Sequence, residues 1–195
     1  MRNRLAGLMA VLVLAAAAAC ARDAAAQDPA PAAPASGPPA SAGATRDAEV
    51  YVQVLRRYLG TPAENSFPER TFRQIFVLDR VVPDSGRPEA PPANAGEPLP
   101  GGIQQHIVGA LSDVGPVSFV ADRKSVIVPR DGCDVVKDDG ILITLDAVDG
   151  EGDRVEVGIN GFVACLGATW LTYVVERTAG GGWQVTGTTG PMAIA

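Results

Sequence analysis

The spacing of apolar positions changes several times along this chain, and the changes divide it. Leu5 to Ala19 is an unbroken apolar run of 15 residues that follows Arg2 and Arg4. At about 1.5 Å per residue a helix of that length falls short of the roughly 30 Å hydrocarbon layer, so the run reads as an export signal over 1–19 rather than an anchor. From Ala21 to Ala44 there is no large apolar side chain, and Pro29, Pro31, Pro34, Pro38 and Pro39 interrupt the alanines. Such a stretch cannot bury enough surface to offset the entropy of ordering it, which predicts a disordered, partly polyproline tether over 20–45. Residues 46–195 then suit one globular domain.

Within that domain the period first becomes helical. Tyr51, Val54, Leu55 and Tyr58 recur at i, i+3, i+4 and i+7, with Thr45 or Asp47 available as a cap and Gly60 at the end. Phe72 to Val82 reads as a strand whose continuous Ile75-Phe76-Val77-Leu78 is apolar enough to be buried on both faces. Prolines and glycines over 86–102 predict a long surface loop. Ile103, Ile107, Ala110 and Leu111 predict a short second helix after Pro100.

Strands follow at Val117–Ala121, Ile141–Leu145, Arg154–Phe162, Ala168–Glu176 and Trp183–Thr189, separated by the turns Asp149 to Asp153 and Ala179 to Gly182. Short connections make antiparallel neighbours, so the carboxyl half reads as a meander. Val155, Val157 and Ile159 point to one face, and Arg154, Glu156 and Asn160 to the other. The fold class expected is α+β, with one or two helices packed on a mostly antiparallel, meander-type sheet and the second face left for solvent or a ligand.

Charge narrows the partners. The chain has 16 basic and 22 acidic residues, a net charge of −6, and loss of the signal would remove Arg2 and Arg4 and make it −8. Nucleic acid is therefore not an expected partner, because binding there rests on lysines and arginines neutralising phosphates.

Three cysteines separate into one and two. Cys133 and Cys165 survive either cleavage, and in an oxidising compartment such a pair, without Cys-x-x-Cys spacing, is expected to form a disulfide. Ala17-Ala18-Ala19-Cys20 resembles the lipobox of bacterial lipoproteins, with Ala17 where leucine is usual. Two cleavages remain open. Cutting before Cys20 leaves its sulfur to carry lipid, including palmitate, and holds the protein at the outer face of the cell membrane; cutting after Ala24-Ala25-Ala26 discards Cys20 and secretes the domain.

Candidate chemistry is sparse. Nine acids lie between Asp131 and Glu156, and Asp146, Asp149, Glu151 and Asp153 are candidates for a weak cation site. The EF-hand pattern fails, since Arg154 stands where glycine is required and Asn160 replaces the closing glutamate. Most of these acids read as solvated turn residues. His106 is the sole histidine, which leaves no two-histidine zinc site, and no serine stands in Gly-x-Ser-x-Gly. Trp170 and Trp183 fall on adjacent expected strands, where they could line a pocket. The glycine-rich stretches do not open helices, so phosphate cradling is not expected, and no metal or other cofactor is implied.

Trp183-Gln-Val-Thr-Gly-Thr-Thr-Gly190, after the glycine turn, resembles the ending of small exported bacterial proteins, some cystatin-like or NTF2-like. With the amino-terminal helix and Ile75-Phe-Val-Leu-Asp-Arg80, the chain is similar to uncharacterised lipoproteins of high-GC Gram-positive bacteria. That resemblance carries no catalytic residue. The function expected is a non-catalytic binding or accessory module of the cell envelope, serving an envelope protein or a small ligand. The alternative is an extracytoplasmic hydrolase or small-ligand enzyme using carboxylates of the 131–156 region.

Overall fold

A computed structural model describes residues 42–65, 67, 71–90 and 95–195. The expected signal, Cys20 and most of the expected tether lie outside the described residues. The first helix, α1 (Ala42–Gly60), begins inside the stretch read as tether, so Thr45 and Asp47 are helical residues and not caps. Alanine is the best helix former, and Ala44 already packs on the core, which extends the helix toward its amino end. Its buried stripe includes Tyr51, Val54, Leu55 and Tyr58, the four residues whose spacing predicts it.

A single turn, α2 (Pro62–Asn65), leads to β1 (Ile75–Val81). Ile75 and Val77 enter one core cluster and Phe76 and Leu78 another, so this strand is buried on both faces as its sequence predicts. Part of the loop after it is ordered by backbone pairing: the Val81 N–H donates to the Glu97 carbonyl at 2.9 Å and the Leu99 N–H to the Asp79 carbonyl at 2.7 Å. The segment 97–99 thereby extends the edge of β1, a departure from the structureless loop expected over 86–102. Helix α3 (Gly101–Ala110) opens after Pro100 and buries Ile103 and Ile107.

Next come β2 (Val117–Val120), a 3₁₀ turn at Arg123–Ser125, β3 (Ile127–Arg130) and β4 (Cys133–Val136). The meander β5 (Ile141–Leu145), β6 (Arg154–Ala164), β7 (Gly167–Arg177) and β8 (Trp183–Ile194) completes the domain. The eight strands form one mixed sheet in the order β2-β1-β5-β6-β4-β3, with β7 also pairing β6 and β8 pairing β7. β1 is parallel to both β2 and β5, because helical and hairpin crossovers separate them, and the other pairs are antiparallel. The fold is α+β and mainly antiparallel.

On the helix side, Val155, Val157 and Ile159 of β6 meet residues of α1 and α3. Tyr58 lies over Gly161, where a Cβ would stand 2.0 Å from its hydroxyl oxygen, so that position must stay glycine. The Tyr58 hydroxyl shares a hydrogen bond with Thr169, and burial pushes its pKa up to about 12. Beside it, Tyr173 donates to Glu64 at 2.6 Å and Arg57 donates to both Glu64 oxygens at 3.0 Å. Burial works to raise the Glu64 carboxyl, but these donors outweigh it and hold it below the ordinary value.

The other sheet face is not bare. The β3–β4 hairpin places Val126, Ile127 and Val136 against Phe76, Leu142 and Phe162 in a second core. Asp131 and Gly132 make its two-residue turn, both with positive φ (53° and 78°). β4 touches the sheet through the single pair Val135↔Ala164, and the Cys133–Cys165 disulfide, with Cα atoms 5.5 Å apart, holds it there.

Candidate functional site

The loop Val82–Ala90 runs over this outer face and walls two cavities. Its start is fixed by Val82 N–H donating to the Leu145 carbonyl at 2.8 Å and by the Ser85 hydroxyl donating to the Val82 carbonyl at 2.6 Å. It then descends onto β6. A Cβ on Gly86 would lie 2.3 Å from the Thr172 hydroxyl, and one on Gly158 would lie 2.6 Å from the Gly86 nitrogen. Two facing glycines thus let one backbone rest directly on another.

The larger cavity is an open cleft of about 280 Å³ whose lining includes Asp84, Asp146, Asp149 and Glu156, with Arg87, Thr172 and Thr189. They arrive from several elements: Asp84 and Arg87 from the loop, Asp146 and Asp149 from the segment after β5, Glu156 from β6, and the threonines from β7 and β8. Burial raises the Asp146 carboxyl above its ordinary value, and repulsion from Asp84 and Asp149 adds to it. The N–H groups of Ala147 and Asp84 oppose the rise. Two of the other acids have partners, Glu156 with Arg154 at 3.1 Å and Asp84 loosely with Arg87 at 3.9 Å.

The expected cation quartet does not assemble. Asp149 and Glu156 exchange backbone hydrogen bonds of 2.9 and 2.7 Å, which close the β5–β6 connection and leave Glu151 and Asp153 at its exposed tip, away from the cleft. Asp153 lies 4.0 Å from Arg177 instead. Among the described residues no group of three metal-ligating side chains gathers at one point. Asp131, Asp138 and Asp139 occupy left-handed backbone positions, so their presence in the acidic stretch is explained by turn geometry.

The smaller cavity, about 130 Å³, is lined by Val82, Ser85, Pro88 and Ala90 of the loop, by Thr144, Asn160 and Trp170 of the sheet, and by Arg123. Trp183 is not there. It is buried in the helix-side core while Trp170 packs on the outer-face cluster, so the pocket expected between the two tryptophans does not form. Side chains along a strand alternate faces, and these two positions fall on opposite sides of the sheet. Adjacency of strands was readable from sequence; parity across the intervening turn and the bulges in the β7–β8 pairing was not.

His106 is exposed on α3, on the helix side and remote from both outer-face cavities. Ser112 donates to Gly109 and Ser125 to Asp122 in local turns. Loop residues 82–90 are what the sequence reading missed as site-forming. The usable signal was Gly158 inside the strand Arg154–Phe162, since a glycine within a strand marks a close backbone approach.

Compared with known proteins, the chain matches no family model, no curated protein and no solved structure.

Proposed function

We propose that the protein is a non-catalytic binding or accessory module of the cell envelope, exported and held at the membrane by lipid on Cys20, and that it engages a cationic ligand on the outer sheet face. The supporting observation is the cleft itself: four carboxylates from three separate chain segments line one open concavity, with Arg87 the one arginine among its lining residues. Charge of one sign in a concave wall attracts the opposite sign, and an amine or guanidinium group is the complement. The chain's length between Cys20 and α1 would let the domain reach ligands near the membrane while remaining tethered.

Thermal-shift titration of the mature chain with spermidine tests the reading of the cleft. A rise in Tm that disappears in the Asp146→Asn/Asp149→Asn double variant supports it, and no shift in the wild type refutes it. Intact mass of the exported protein tests the address: a chain beginning at lipidated Cys20 supports the anchor, and an unmodified chain beginning after Ala26 supports free secretion.

One observation favours a second reading. Asp146, whose pKa burial raises, sits beside Asp149 and Asp84, and neighbouring carboxyls are an arrangement that acid–base hydrolysis uses. Turnover in a hydrolase substrate screen that is lost in Asp146→Asn would establish that reading over simple binding.

A further inference from the structure

The smaller cavity lies outside the acidic cleft and has a different chemistry. Its floor is one cross-strand row: Thr144 pairs with Asn160 between β5 and β6, and Asn160 pairs with Trp170 between β6 and β7. Residues paired in register point to the same face, so a hydroxyl, an amide and an indole stand side by side. Thr144 and Asn160 are each only 8% exposed.

The polar groups of this floor are incompletely used. The Asn160 amide donates to the Thr169 carbonyl at 3.0 Å, which fixes the side chain, and its carbonyl oxygen accepts no hydrogen bond among the described residues. The Thr144 hydroxyl makes no hydrogen bond among the described residues, and yet no fully buried side-chain oxygen there lacks a partner. Its oxygen therefore retains access to the cavity that it lines. A hydroxyl in a nine-tenths buried threonine, open only to a pocket, is a donor waiting for an acceptor.

Arg123 supplies the charge. The 3₁₀ turn that carries it is fixed by the Asp122 carboxylate, which accepts from the Lys124 N–H at 2.8 Å. The guanidinium stacks over Phe162 at 4.6 Å, half-buried, and has no ion pair or hydrogen bond among the described residues. Asp134 acts on it only at longer range. A half-buried cation with no close ion pair among the described residues is costly to bury and is stabilised by an anion brought to it.

We infer that this cavity binds a small organic carboxylate, with Arg123 as its counter-ion, Thr144 as a hydrogen-bond donor and Trp170 as the apolar wall. A guanidinium fork matches a planar carboxylate. Pro88, Ala90 and Trp170 give part of an otherwise polar lining an apolar surface on which the carbon skeleton of a small organic acid can rest. The volume of about 130 Å³ far exceeds the roughly 10–15 Å³ that one water needs, and it restricts the ligand to a small acid.

The test is titration of the disulfide-intact mature chain with propionate and benzoate, using propionamide, benzamide and inorganic phosphate as controls and Tm and tryptophan emission as readouts. The expected result is a rise in Tm and a change in emission with at least one carboxylate and with none of the controls. Arg123→Gln should weaken binding about ten-fold or more, the worth of a hydrogen bond to a charged group. Thr144→Val should weaken it while Thr144→Ser preserves it, a contrast that decides the matter even if the Arg123 variant fails to fold. Equal response to acid and amide, response to phosphate alone, or unchanged affinity in both Arg123→Gln and Thr144→Val would overturn the inference. Because the spermidine response depends on the other cavity, either result leaves the reading of the acidic cleft to its own test.

Discussion

Gly158 shows how much of the outer face hangs on a single hydrogen atom. A methyl group there would stand 2.6 Å from the Gly86 backbone nitrogen and 3.3 Å from the Asp146 side chain, and neither backbone can yield without lifting the loop. Gly158→Ala is expected to cost about 1–3 kcal/mol in urea unfolding, as overpacking does, and to weaken ligand binding in both cavities. Asp146 makes a second prediction at this scale. Its folded-state pKa is raised, so the folded protein holds the proton more readily than the unfolded chain, and the ionised carboxylate destabilises the fold at neutral pH. Asp146→Asn should therefore raise Tm at pH 7, and the gain should vanish below the ordinary aspartate value of about 3.9. A gain that persists in acid would show that burial of the charge is not its cause. The sequence revealed Asp146 as an acid in an acidic stretch; which neighbours it would meet depended on a loop sixty residues earlier, and no local pattern encodes that.

Elements were legible in proportion to the regularity of their apolar spacing. The stripe of α1, the two-sided burial of β1 and the meander of β5 to β8 follow from periods visible in the chain. The β3–β4 hairpin was overlooked although Asp131-Gly132, the strongest two-residue hairpin signal, lies between its strands, because four-residue strands carry too little alternation to stand out. Its attachment explains the disulfide. Closing a loop with a sequence separation of 32 stabilises by roughly 3.5–4 kcal/mol in the chain-entropy model. Replacing Cys133 and Cys165 with serine should lower stability by up to about that amount and speed amide exchange across β3 and β4 before the rest of the sheet. Uniform exchange throughout would show that the hairpin does not depend on the bridge. The link between α2 and β7 behaves oppositely to Asp146: the Glu64 pKa is lowered, so its stabilisation is full above the ordinary glutamate value of about 4.3 and is lost as the pH falls through the lower folded value. Glu64→Gln should flatten the acid arm of the stability curve, measured by Tm between pH 2 and 6.

At the scale of the whole molecule, the sheet separates structure from candidate chemistry. Its helix side carries the larger core, the tyrosine network and Trp183; its outer side carries the hairpin, the loop and two cavities of opposite character. Among the described residues no helix is long and apolar enough to cross a membrane. The central claim, that the outer face binds a cationic ligand without transforming it, is tested most directly by amide chemical-shift mapping of the mature chain titrated with spermidine. Shifts at Asp84 to Arg87, Asp146 to Asp149, Thr172 and Thr189, lost in the Asp146→Asn/Asp149→Asn variant, are the predicted result. No shifts, or shifts confined to α1 and α3, would contradict it.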